Sequence, residues 1–147
     1  MQINIREIEE KDYTSLVTLF HEFAAFQKMP EKMINSVEQM QMEKEYLNGY
    51  VAHTETHEIV GYLTWFYVYF TWVGKSMYMD DLYVKQTHRG NGIGTLLINK
   101  LIGYAREMNC NRLRWQVSEW NKPAIGFYES LGAKVDGTES NCDLKFF

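Results

Sequence analysis

The chain has 147 residues, 46% hydrophobic and 23% charged, which is the size and balance of a single globular domain spanning 1–147. Its net charge of −4 argues against a broad nucleic-acid surface, which depends on neutralising phosphates, and suits a cationic partner. The longest apolar run, Ile59 to Phe70, is shorter than the ~20 residues of a bilayer span, and the acid-bearing start Met1–Glu7 lacks signal-peptide character, so no membrane association is expected and the cytoplasm is the expected compartment.

In chain order, Ile3 to Glu7 alternates as a short strand. Asp12 is placed to cap a helix running to Gln27, with Leu16, Leu19, Phe20 and Phe23 at helical spacing. Met33 to Tyr46 reads as a second, weaker helical stretch. Tyr50 to His53 reads as a strand, followed by a polar turn through Glu58. Ile59 to Phe70 is rich in Val, Tyr, Trp and Phe, which favours a strand, and Ser76 to Val84 returns beside it after a turn at Trp72–Lys75. The aromatics between Tyr62 and Tyr83 are expected to wall a core or a pocket.

A glycine segment comes next, then an amphipathic helix with Ile93, Leu96, Leu97, Leu101, Tyr104, Ala105 and Met108 on one face, ended by Asn109–Asn111. Arg112 to Ser118 alternates as a strand. Asn121 and Pro123 open a short helix to Ser130, where the missing proline N–H needs no partner, and Gly132 stops it. Val135 and Leu144–Phe147 mark two last strand segments. The order βα(α)βββαβαβ fits a mixed α/β fold, with helices on both faces of one sheet.

Arg89-Gly90-Asn91-Gly92-Ile93-Gly94 joins a strand to a helix. A helix N-terminus leaves N–H groups unpaired and its dipole favours an anion, while glycines let the backbone come close to a phosphate. Lys85, His88 and Arg89 add positive charge, so a diphosphate is the natural occupant. The Gly-Lys-Ser/Thr of a Walker loop is absent, and the G-x-G-x-G spacing departs from the dinucleotide fingerprint. Spacing alone leaves open a glycine turn that only starts a helix.

Arg89-x-x-Gly92-x-Gly94 resembles the Q/R-x-x-G-x-G/A motif of the GNAT superfamily. Met79–Val84 before it, and Glu119–Ala124 and Phe127–Ala133 after it, resemble that superfamily's other cofactor-contacting regions. Together with Trp72–Lys75 and Phe23–Phe26 they are similar to the spermidine/spermine N-acetyltransferase branch, with its thialysine and diamine relatives. The resemblance implies a GNAT fold: a twisted mixed sheet of six to seven strands flanked by four helices. It implies acetyl-CoA as co-substrate, held by main-chain groups of Leu82, Tyr83 and Val84. The diphosphate would lie on Arg89, Gly90, Asn91, Gly92, Ile93, Gly94 and Thr95. Asn121, Lys122 and Ala124 would flank the coenzyme tail, and Tyr128 would sit by the sulfur. A homodimer is expected on the same ground.

Acetyl transfer to an amine needs a neutral nitrogen and a protonated leaving thiolate. Tyr128, a phenol with a pKa of ~10, suits the second task, and Phe127 suits packing. An alkylammonium is neutral to only ~1 part in 2,500 at pH 7, a cost of ~4.6 kcal/mol. Direct proton transfer to an unshifted Asp is uphill by ~9 kcal/mol, so Asp80 and Asp81 are expected to bind the cation and order a water relay. Adjacent strand residues face opposite ways, so one of the two is expected in the site, and Asp80 matches the acidic position of the polyamine branch. Trp72, with Trp65, Tyr69 and Trp120, offers a cation–π wall. Gln27 replaces an acid of that branch at the end of the first helix, which leaves polyamine, diamine and thialysine-like acceptors open. Glu119 is a further acid, with one reading beside the amine and another in solvent. An enzyme acting on a protein lysine or N-terminus, and a non-catalytic acyl-CoA-binding domain, are the alternatives.

No metal is expected: His53 and His57 lie at a strand end and turn with no third ligand nearby. Cys110 and Cys142 form no C-x-x-C pair and read as buried thiols.

Overall fold

The computed structural model describes residues 2–147. They divide into two compact units, one ending at Trp115 and one covering Gln116–Phe147.

The first unit is a five-stranded mixed sheet with helices on both faces. Its elements are β1 (Asn4–Glu7), α1 (Tyr13–Phe26), α2 (Val37–Met42), β2 (Asn48–His53), β3 (Ile59–Phe70), β4 (Gly74–Val84), α3 (Ile93–Glu107) and β5 (Leu113–Trp115). The strand order is β1-β2-β3-β4-β5; the first four pair antiparallel, and β4 pairs with β5 in parallel. The parallel step follows from α3, because a parallel partner needs a crossover and the helix supplies it.

Pleat parity sorts the two faces. Val51, Tyr62 and Tyr83 point one way and form a core with Tyr13, Leu16 and Leu19 of α1 and Met40 of α2. Gly61 and its cross-strand partners Ala52 and Val84 face the other way; a methyl group on Gly61 would meet Leu97 and Ile93 of α3. The α3 stripe is Ile93, Leu97, Ile98, Leu101 and Ala105. Leu96, expected inside, is exposed, and Ile98 takes the flanking position.

Asp12 departs from its expected role. Its carboxylate accepts two hydrogen bonds from Arg6, each 2.8 Å, and one from the Glu9 N–H, and it makes no side-chain cap on α1. It ties β1 to the helix start instead. The weak helical stretch from Met33 shrinks to α2, capped by Ser36 Oγ accepting from Gln39 N–H, with a 3-10 turn at Lys44–Tyr46.

The second unit holds α4 (Lys122–Ser130). Asn121 caps it by accepting from Ala124 N–H, and Gly132 at φ +93° ends it. The strand segments expected at Val135 and Leu144–Phe147 are absent, and the strand expected over Arg112–Ser118 contracts to β5. The sheet therefore has five strands rather than six to seven. An apolar, β-branched stretch becomes a strand only where a ladder partner exists, and Leu144, Phe146 and Phe147 remain exposed.

Candidate active site

β4 carries the site because its two edges differ. One edge pairs with β3 along the full strand, whereas β5 covers the other only at Met77, Tyr78 and Met79. From Asp80 to Val84 no further strand of the sheet continues that ladder. Lys85 N–H donates to Val60 C=O at 2.8 Å, which fixes the alternation of the antiparallel pair. Tyr83 then bonds towards β3, while the main-chain groups of Leu82 and Val84 point to the open edge. Of the three residues expected to offer main-chain groups, these two have the right direction.

The open edge runs into the glycine loop. Gly90 (φ +81°) and Gly92 (φ +78°) are left-handed, and Gly92 is the N-cap of α3 without a side-chain cap. The first-turn N–H groups of Ile93, Gly94 and Thr95 have no intrahelical acceptor, which is what an anion requires. Asn91 Nδ2 donates to His88 C=O at 3.1 Å and so braces the loop. The expected positive charges are largely committed. Lys85 pairs with Glu58 at 3.2 Å. Arg89 Nε donates to Val84 C=O at 2.9 Å, and its guanidinium lies 4.7 Å from the Phe26 ring and 5.3 Å from the Tyr83 ring. Main chain, rather than cationic side chains, is therefore what this loop has to offer an anion.

The acids sit where the edge comes free. Thr64 pairs with Asp81 and Trp65 with Met79, so Asp80 is an extra residue without a β3 partner. This bulge changes the pleat parity. Met77 and Met79 point into the α3 core with Trp65, whose ring lies 5.6 Å from Tyr104, whereas Asp81 and Tyr83 point to the α1 face. Strict alternation would have sent Asp81 into the α3 core, and the sequence reading that set the two acids on opposite faces did not include a bulge. Asp80 touches solvent yet is crowded by protein, and that desolvation raises its pKa. Burial lifts Asp81 to about 6, helped by the charge of Asp80 and opposed by a 2.8 Å hydrogen bond donated by Tyr62.

In the second unit Asn121 Oδ1 is occupied as the α4 cap, Lys122 is exposed and Ala124 is half-buried. Tyr128 is the buried member of the Phe127–Tyr128 pair and Phe127 the half-buried one, which reverses the expected packing roles. The Tyr128 C=O accepts from the N–H groups of Leu131 and Ala133, anchoring the helix end.

Other expectations fall outside this arrangement. Trp72 is 97% exposed at the β3–β4 hairpin tip, about 20 Å along the strand from Asp80. Trp65 is core, and Tyr69 is exposed, so these aromatics form no common wall with Asp80. Gln27 ends α1, its N–H donating to Phe23 C=O. An open depression of 390 Å³ near the hairpin tip is lined by Tyr67, Val68, Tyr69, Lys75 and Met108; it has no carboxylate and does not suit a cation. His53 and His57 stack at 5.5 Å, and no group of three potential metal ligands occurs among the described residues. Cys142 is exposed and Cys110 half-buried, so the two thiols are not core residues as expected.

Comparison with known proteins agrees with this geometry. Residues 4–133 match the model of the Acetyltransferase (GNAT) family. The chain is 33% identical to the thialysine N-epsilon-acetyltransferase of Mus musculus, over 97% of this chain and 89% of that one. It is 32% identical to the L-ornithine N5-acetyltransferase of Arabidopsis thaliana, over 52% of this chain and 34% of that one. An aminoglycoside acetyltransferase from a soil metagenome, solved with sisomicin, shares the fold with a TM-score of 0.80 at 24% identity, covering 97% of both chains.

Proposed function

The chain belongs to the GNAT acetyltransferase family and is an acetyl-CoA-dependent N-acetyltransferase, and from that premise we propose that its acceptor is a primary amine on a small cationic molecule: a thialysine-like amino acid, a diamine or a polyamine. The observation that carries this reading is the acidic pair Asp80–Asp81 at the start of the open β4 edge. Relatives named for thialysine and ornithine acetylation support an amine on a short aliphatic chain.

The residues present fit acetyl-CoA. Two left-handed glycines and the uncapped start of α3 suit its diphosphate, and the outward main-chain groups of Leu82 with the outward N–H of Val84, whose C=O already accepts from Arg89, suit an amide-bearing arm. Acetyl-CoA supplies the activated acetyl group. Asp80 binds the ammonium and passes one proton to water. The freed nitrogen forms the C–N bond as the C–S bond breaks, and the Tyr128 hydroxyl gives its proton to the departing sulfur. The acylated nitrogen then gives up its second proton, which returns through water to the Tyr128 phenolate and restores the phenol. Even with Asp81 near 6 in the free protein, moving a proton to it from an amine of pKa ~10.4 is uphill by ~6 kcal/mol, and a bound ammonium lowers that pKa again, so the pair binds the cation and water takes the proton. A single domain, a homodimer and a cytoplasmic location belong to the same proposal.

The test is thiol release from acetyl-CoA with thialysine, diamines, polyamines, neutral amines and lysine peptides. Rates are expected to rise with acceptor charge and to fall ~10-fold or more in Asp80→Asn, while Tyr128→Phe lowers kcat ~100-fold at unchanged coenzyme affinity. Preference for neutral or peptide acceptors sinks the reading.

A further inference from the structure

Tyr62 is absent from the glycine motif and from the acidic pair, yet it is hydrogen-bonded to one member of the pair. It lies in the first third of β3, fully buried, with its ring 5.0 Å from Phe20 and 6.2 Å from Tyr83. A phenol at this depth is costly without a partner. Its hydroxyl donates to Asp81 Oδ2 at 2.8 Å, diagonally across the β3–β4 ladder. Asp81 is held at its other end as well, its N–H donating to Thr64 Oγ1 at 3.2 Å. Both bonds depend on the bulge at Asp80, which turns Asp81 towards Tyr62.

Two neighbouring carboxylates resist being charged together unless something offsets the repulsion. Among the described residues no lysine or arginine forms a salt bridge with Asp81. The titratable groups around it are Asp80 on the bulge, Tyr62 on β3 and Tyr83 on β4. Beyond Tyr83 lie Glu22 of α1, 3.4 Å from its hydroxyl, and Arg89 over its ring. The compensating contact is therefore the Tyr62 hydrogen bond, since a donor to a carboxylate favours its charged form.

We propose that Tyr62 is a positioning residue for acceptor recognition: its hydroxyl keeps Asp81 ionised and oriented, so that Asp80 and Asp81 present two negative charges to a dicationic amine. This rests on the acetyl-transfer reading above. Asp81 Oδ2 is occupied by the phenol, which leaves Oδ1 as its acceptor atom for the ligand.

The experiment is the pH profile of kcat/KM for a diamine in Tyr62→Phe, alongside a carbon-13 titration of the Asp81 carboxyl in the free protein. The ring contacts survive this change. Loss of the donor is expected to move the acid limb and the carboxyl titration upward together by about one pH unit, ~tenfold in proton affinity, with rates converging at alkaline pH. The preference for dicationic over monocationic acceptors falls in parallel near pH 6. Tyr50→Phe, another buried tyrosine but on the α3 face, leaves the limb in place. Should Tyr62→Phe fail to fold, 3,5-difluorotyrosine at position 62, a stronger donor, moves both readouts downward. An acid limb and a carboxyl titration both unmoved overturn the proposal. A wild-type protein inert towards every amine overturns the acetyl-transfer reading instead, because the titration is read without turnover.

Discussion

At the scale of single residues, Asp81 ties stability to pH in an unusual direction. Its folded pKa, raised to about 6, lies above the ordinary carboxylate value near 3.8. The native protein therefore binds this proton more tightly than the unfolded chain does. The stabilisation from that binding is complete below pH ~4 and disappears as pH rises through ~6, a change on the order of 3 kcal/mol at most. Asp81→Asn keeps an acceptor for Tyr62 without the charge. It is expected to melt several degrees above the wild type at pH 7.5 and to match it at pH 4, as read by calorimetry. A variant less stable than wild type at both pH values contradicts this account. Tyr62 itself was not legible in the sequence, because its bond to Asp81 spans 19 positions and appears only once the β3–β4 register is known.

At the scale of elements, the strand–loop–helix unit from β4 to α3 was readable, and the reason is chemical. Gly90 and Gly92 occupy backbone conformations that side chains disfavour, so the residue type reports the geometry directly. A methyl group at Gly92 meets no neighbour, so Gly92→Ala acts through the backbone alone, at ~1–2 kcal/mol. Titration calorimetry is expected to give an acetyl-CoA Kd at least ~5-fold weaker. Gly103, on the exposed side of α3 with open space around it, gives the opposite outcome: Gly103→Ala stabilises by up to ~1 kcal/mol and leaves that Kd unchanged. Other elements resisted sequence reading. β5 and the stretch after Gly132 have strand-like composition, but pairing depends on a partner that composition does not specify. The bulge at Asp80 has no local signature either, so the turn of Asp81 towards the α1 face was not legible in the sequence.

At the scale of the whole molecule, the family match spans residues 4–133 and so crosses from the first compact unit into the second. Asp80, Asp81 and the glycine loop lie in the first unit, and Asn121 to Tyr128 in the second. The net charge of −4 adds a long-range term, since an acidic protein attracts a cationic acceptor and repels an anionic coenzyme. Raising ionic strength from 50 to 500 mM is expected to raise the KM of a dicationic amine several-fold, while that of acetyl-CoA stays level or falls. A salt-insensitive KM for the amine speaks against charge-guided capture.

The misaligned rung in the β3–β4 ladder carries a lesson for redesign. What aims the second carboxylate is its pairing with Thr64, not the identity of the surplus residue. Exchanging the side chain at position 80 therefore retunes the chemistry offered to an acceptor without rotating its neighbour, whereas deleting that residue would close the ladder, with Met79 opposite Trp65 and the remaining carboxylate still opposite Thr64. A shortened strand is therefore expected to keep its fold and to lose one of the two charges offered to an acceptor.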